Sequence, residues 1–184
     1  MQNQGRFSNV QIALHWAVFL LLIVTYATVE LRGLAPRGSL TRQLVMATHF
    51  SCGVTVLVLM VARIYYRIKY ASPPIVPPAP KWQHFLANLT HILIYALFVA
   101  LPVLAVSSRY LRGQDWALFG IGMPVAATPN PDLAVSLIQT HETLAPLGYW
   151  LIGLHAAAAL FHYYFMRDNT MLRMMPSKKD RTSA

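Results

Sequence analysis

Residues 133–166 read LAVSLIQTHETLAPLGYWLIGLHAAAALFHYYFM, and this stretch decides the fold. A helix rises about 1.5 Å per residue, so about 20 apolar residues cross a hydrocarbon core about 30 Å thick. The run is long enough to do so even with Pro146 bending its first turns. Glu142 is its only formal charge, while His141, His155 and His162 add three titratable rings. A membrane span is expected over residues 135–166, closed by Arg167.

Working outward, three more runs share this character. Ile12 to Val29 contains only His15 as an ionisable group, with Arg6 before it and Glu30 and Arg32 after it. Leu44 to Ala62 carries His49 and ends at Arg63, Arg67 and Lys69. Phe85 to Ser108 has His91 inside, Pro102 placed to kink it, and Arg109 and Arg112 beyond. Their spans are expected over residues 10–31, 43–66 and 84–108. A basic start before an apolar run also marks a secretory signal, but the length of the first run and the three later spans argue against cleavage. Ser72-Pro-Pro-Ile-Val-Pro-Pro-Ala-Pro80 reads as an extended, polyproline-like connector. Gly113 to Pro131, rich in glycine and proline, reads as the longest loop, a kind that is often functional.

Hydrophobic residues make up 56% of the chain and charged residues 11%, too apolar for an ordinary soluble surface. The expected fold is therefore all-α, an integral membrane four-helix bundle formed by a single domain over residues 1–184. The net charge of +9 does not point to nucleic acid, because the basic residues sit at the ends of apolar runs and form no dense stripe. They read as topology signals. Arg6, Arg63, Arg67, Lys69, Lys81, Arg167, Arg173, Lys178, Lys179 and Arg181 fall on one side, against Arg32, Arg37, Arg42, Arg109 and Arg112 on the other. The positive-inside rule then puts both termini in the cytoplasm, and a bacterial inner membrane fits this arrangement. Cys52 is the single cysteine, so no internal disulfide can form.

Ionisable residues inside membrane spans are costly and face the bundle interior, so several on separate helices mark a functional centre. Heme iron held between facing helices takes two imidazoles and is closed to other ligands, which suits electron transfer. His141 and His155 are 14 residues apart, almost four whole helical turns, and so share one face at two depths roughly 21 Å apart. His49 lies at the level of His141. His15, placed about 22 Å below the outer boundary, lies near the level of His155. Two pairs follow, His49 with His141 outside and His15 with His155 inside. Gly53, one turn after His49, leaves room for a flat macrocycle near the backbone. Each histidine taken alone also reads as an interhelical hydrogen-bonder, the reading favoured for His91. His84 is interfacial, and the tryptophans read as an aromatic belt and packing. Zinc is possible with histidine ligands, but tetrahedral structural sites usually recruit close ligand pairs or several cysteines, and Cys52 stands alone.

Six segments, taken in order, resemble the bacterial cytochrome b561 family over essentially the whole chain. They are Gln11-Ile-Ala-Leu-His-Trp16, Thr48-His-Phe-Ser-Cys-Gly53, Leu57-Val-Leu-Met-Val-Ala-Arg63, His141-Glu-Thr-Leu144, Gly153-Leu-His-Ala-Ala-Ala-Ala159 and Asp168-Asn-Thr-Met-Leu-Arg-Met-Met-Pro176. The resemblance implies two b-type hemes with His15, His49, His141 and His155 as iron ligands. It also implies oxidation of superoxide to oxygen with reduction of ubiquinone.

The residues can be asked whether they suit that chemistry. Superoxide is an anion, and Arg32, Arg37, Arg42, Arg109 and Arg112 at the outer face would attract it, although Glu30, Asp115, Asp132 and Glu142 offset most of their charge. At the other face Arg67, Lys69 and Lys81 could orient a quinone carbonyl, and His162 could supply protons, since an imidazole exchanges them near neutral pH. Headgroup contact is the plainer role for these cations. The expected partners are membrane lipid, superoxide and ubiquinone, with a protein redox partner allowed but not required. A second reading is a cytochrome b subunit relaying electrons between a dehydrogenase or hydrogenase and quinone. A third, a transporter or scaffold without redox chemistry, predicts a colourless protein.

Overall fold

Local chemistry sets where each helix begins. A computed structural model describes residues 5–176, so Lys178, Lys179 and Arg181, counted above for orientation, lie outside the described residues. Helix α1, Asn9–Leu31, starts at a capping box in which Ser8 Oγ accepts from Gln11 N at 3.3 Å and Gln11 Oε1 accepts from Ser8 N at 3.2 Å. Helix α2, Leu40–Lys69, is capped by Ser39, and α3, Lys81–Leu111, follows Pro80 and runs through Pro102 without ending there. Asn130 caps α4, Pro131–Leu144, with Pro131 in the first turn where its missing N–H costs nothing. That helix therefore begins ahead of its apolar run. Helix α5, Leu147–Phe161, completes the fourth span after a break at Ala145 and Pro146.

Four helical stretches, residues 9–34, 40–69, 81–111 and 131–166, are long and apolar enough to cross a membrane. The chain is a multi-pass membrane protein built as an all-α four-helix bundle. Among the described residues, the exception to helix is a two-residue ladder, β1 Ala117–Leu118 with β2 Ile121–Gly122, folded within the long loop. Val18, Leu22, Val56, Met60, Leu97, Phe98 and Leu101 form the buried centre. Many other apolar side chains, among them Val58, Ile92, Trp150 and Leu154, are exposed on the outside of the bundle, as lipid as solvent requires.

Hydrogen bonds define the two ends. Ser108 Oγ donates to Ala134 O at 2.7 Å near the end that carries the long loop, here the loop end. At the opposite, terminal end, Phe7 N donates to Arg173 O at 3.1 Å, and Trp16 Nε1 donates to Met174 O at 2.8 Å. Asn169 binds Val76 in both directions, and the Arg173 guanidinium donates to Pro73 O. The start of α1, the proline-rich connector and the segment after the last span thus meet at one end of the bundle.

Pro146 removes one backbone donor from the fourth span, and Tyr26 Oη donates to Ala145 O at 2.8 Å across the break. Gly148 makes room for it. A methyl group at Gly148 would run into the Tyr26 hydroxyl and lie 3.0 Å from the Phe98 ring. Gly148→Ala is expected to destabilise the folded protein by about 1–3 kcal/mol, the usual cost of overpacking. A thermal melt in detergent with an unshifted midpoint would show that the site relaxes freely.

Candidate functional site

The helices bring histidines together at two levels. At the loop end, His49 from α2 and His141 from α4 have ring centres 6.4 Å apart, with planes at 82°. His49 Nδ1 lies 3.0 Å from Thr25 O and 3.3 Å from Thr28 Oγ1, and His141 Nδ1 lies 2.8 Å from Leu101 O. A carbonyl only accepts, so each Nδ1 carries the hydrogen and each Nε2 keeps its lone pair for a metal. Two imidazoles on one metal, each nitrogen about 2 Å from it, hold their ring centres about 6 Å apart. The loop-end pair fits that requirement.

A cavity of 430 Å³ adjoins this pair, within the size range of cofactor sites. Its wall includes Leu22, Gly53, Phe98 and Leu101, and a side chain at Gly53 would meet nothing within 4 Å. This is open, apolar space flanked by two free nitrogens, which suits a flat macrocycle that brings its own four donors. Among the described residues, no group of three His, Cys, Asp or Glu side chains is placed to hold a bare ion.

Charge collects around the same cavity. Arg32, Arg109 and Arg112 line it together with Glu30, Glu142 and Trp116. The Arg109 guanidinium sits 4.5 Å from the centre of the Phe50 ring, and Tyr149 Oη donates to Glu30 at 2.7 Å. The other two arginines of the sequence argument are elsewhere. Arg42 Nη1 donates to Arg32 O at 2.9 Å and to Ala35 O at 3.3 Å, stapling the turn after α1, and Arg37 is exposed.

At the terminal end three rings share one level. His15 from α1 and His155 from α5 have centres 6.1 Å apart with planes at 60°, again the separation one metal needs. His91 from α3 lies closer, 5.3 Å from His155, with Nδ1 2.6 Å from Ala87 O. Sequence reasoning favoured a structural role for His91 while leaving it open as an inner ligand, and the structure puts it beside the pair. Sequence reasoning also missed Arg63, which it counted only as a topology charge. Arg63 Nη2 lies 3.1 Å from His15 Nδ1, and its guanidinium sits over the Tyr95 ring at 5.6 Å.

Below this level the helix ends in a π turn, His162–Met166, and Arg167 turns the chain with a left-handed φ of 55°. The reversal brings Asp168 Oδ2 to 2.5 Å from His162 Nδ1, while Thr170 N donates to Asp168 Oδ1 at 2.8 Å. Burial by itself raises the Asp168 carboxyl, but the hydrogen bonds from His162 and Thr170 outweigh it and hold the group below its ordinary value. Its stabilising contribution is complete above the usual carboxylate range and lost as pH falls through the depressed value. The chain gives no signal for this pairing, because only the π turn and the reversal at Arg167 bring the two together. Arg67 donates to Asn88 Oδ1 at 3.3 Å, Lys69 Nζ donates to Tyr65 Oη at 3.1 Å, and Lys81 is exposed. Among the described residues none of these three cations is hydrogen-bonded to His162.

Comparison with known proteins bears on this arrangement. The sequence profile of the prokaryotic cytochrome b561 family matches residues 6–177. The chain is 45% identical over 175 residues to cytochrome b561 homolog 1 of Escherichia coli K12, covering 95% of this chain and 99% of that protein. It is 46% identical over 174 residues to the probable superoxide oxidase CybB of Yersinia pestis, covering 95% and 98%. It is 28% identical over 180 residues to cytochrome b562 of Cereibacter sphaeroides, covering 95% and 98%.

Proposed function

The chain belongs to the prokaryotic cytochrome b561 family, and from that premise we propose that it is a diheme b-type cytochrome that oxidises superoxide and reduces ubiquinone. The reading places both termini in the cytoplasm of a bacterium, in the inner membrane, with the loop end facing the periplasm. The observation that carries it is the pair of histidine separations, 6.4 Å and 6.1 Å, at two levels of one bundle. His49 and His141 would hold one heme and His15 and His155 the other. When bound, the hemes would supply one-electron oxidation and reduction.

The protein's own groups do the rest. Arg32, Arg109 and Arg112 create local positive potential at the mouth of the loop-end cavity, which draws in an anion of superoxide's size, while Glu30 and Glu142 limit it. Arg37 and Arg42 contribute only at longer range. Two superoxide ions give up one electron each and leave as oxygen, and one ubiquinone takes up two electrons and two protons. His162, oriented by Asp168, offers a proton at the terminal end. Arg67, Lys69 and Lys81 are the candidate partners for the quinone carbonyls and for lipid headgroups.

Stopped-flow mixing of the purified, heme-loaded protein with superoxide tests the reading. Heme absorbance is expected to report reduction faster than spontaneous dismutation, ubiquinol is expected to accumulate, and added salt is expected to slow the first step. Reduction no faster than dismutation would overturn the oxidase reading. Reduction only by a co-purifying dehydrogenase or hydrogenase would favour the cytochrome b subunit instead.

A further inference from the structure

The long loop does not stay at the end of the bundle. Gly113 N donates to Tyr110 O at 3.3 Å, which holds the start of the loop at the end of α3. Tyr110 is nine residues beyond Leu101, whose carbonyl meets His141, so it lies about 13 Å above the loop-end pair. Only six residues after Gly113, Phe119 N donates to Ser51 Oγ at 3.3 Å. Ser51 is two residues past His49 on α2 and seven past Leu44, where the apolar run begins, so the turn of the β1–β2 hairpin lies about 10 Å inside that run. Phe119 and Gly120 form this turn, with φ of 51° and 79°. A two-residue hairpin turn with positive φ at both positions takes asparagine, aspartate or glycine first at least cost. Phenylalanine there is strained, yet its side chain is 69% exposed, and that of Ile121 is 68% exposed. Little of the Phe119 ring packs within the chain, so what offsets the strain lies outside it.

We propose that the hairpin is a re-entrant element that sets Phe119 and Ile121 among the acyl chains of the loop-end leaflet. Residues 116–127, Trp-Ala-Leu-Phe-Gly-Ile-Gly-Met-Pro-Val-Ala-Ala, carry no charge, and their one side-chain N–H, Trp116 Nε1, is spent on Pro124 O at 3.2 Å. A protein partner reads donors and acceptors as well as apolar area, whereas acyl chains ask for neither. Non-helical backbone at membrane depth is tolerated where it lines a cavity and bonds within the protein. Both conditions hold. Trp116 and Leu118 line the loop-end cavity, and Leu118 is buried. Ala117 pairs with Gly122 and Leu118 with Ile121, Met123 N donates to Trp116 O at 2.9 Å, and Ser51 accepts from the turn. Anchored in this way, the hairpin closes the cavity's flank toward lipid and leaves entry from the water at the end of the bundle. None of this depends on what fills the cavity.

Vesicles containing a phospholipid with a diazirine in its acyl chain test this on the unaltered full chain. Irradiation is expected to leave lipid adducts on Phe119 or Ile121, read by mass spectrometry, as on the outward-facing Ile92 and Leu154. Adducts on the latter two with none on residues 117–122 would overturn the proposal. Cysteine reactivity supplies a second arm, in a Cys52→Ala background, or Cys52→Ser if that variant does not accumulate. An apolar setting raises a thiol, and each unit cuts the reactive thiolate tenfold, so Ile121→Cys is expected to react with a charged maleimide at least about tenfold more slowly than Gln114→Cys. Equal rates would put the hairpin in water and also overturn it. A slow Ile121→Cys thiol without lipid adducts would mean that a second copy or another protein covers the hairpin, which overturns the lipid occupant. Phe119→Asn suits the turn but not the acyl chains, and combined with Ile121→Cys it is expected to bring the reaction up to the Gln114→Cys rate. A rate that stays slow in that variant overturns Phe119 as the anchor.

Discussion

His141→Ala is expected to leave one heme per chain where the unaltered protein holds two. The His141 and His49 rings stand 6.4 Å apart with both Nδ1 atoms committed to carbonyls, so each supplies one free nitrogen and neither has a neighbour ready to replace it. His49→Ala is expected to give the same result. The terminal-end pair, on different turns of α1 and α5, is expected to keep its heme in both variants. Pyridine hemochrome content of the purified variants reads this directly as half the normal value. His91→Ala is the control and is expected to retain two hemes, because at 5.3 Å its ring stands too close to His155 for a metal between them. Full heme content in both loop-end variants would refute the pairing. Loss from His91→Ala with retention in His15→Ala would move the terminal-end ligand to α3.

The second large effect is expected at the terminal end. His162→Gln should slow electron transfer to ubiquinone by about 100-fold, within the range that a positioned acid contributes. Heme content and the rate of heme reduction by superoxide should stay as they were. Asp168→Asn should act in the same direction and more weakly, because it leaves the ring in place and alters only what holds its proton. Reoxidation of the pre-reduced protein by a soluble ubiquinone analogue separates this step from the first. A His162→Gln protein that reoxidises at full rate would remove that residue from the proton path.

The four spans were legible because lipid imposes one rule that composition exposes, and long apolar runs with almost no charge leave few alternatives. The levels of the histidines were legible too, because helix rise converts a difference of 14 positions into depth and into a shared face. What lay outside that arithmetic depended on direction. Arg63 ends an apolar run, and a charge count records its presence but not that it turns toward His15. Arg42 counted toward an attractive outer surface, yet it is tied to the carbonyls of Arg32 and Ala35. Asp168 pairs with His162 only because the backbone turns left-handed at Arg167, a conformation that no periodicity announces. The small ladder at 117–122 is too short to leave an alternating pattern, so the loop gave no sign of it.

Trp16 and Met174 are 158 positions apart and are joined by a hydrogen bond of 2.8 Å. Translation proceeds N-terminus first at about 5–20 residues per second, so the first span waits on the order of ten seconds before its latch exists. Throughout that interval His15 and His49 stand in the bilayer without the helix that carries their partners. A chain halted before residue 131 would therefore leave three spans with one flank open to lipid, and one halted before residue 174 would lack the latch.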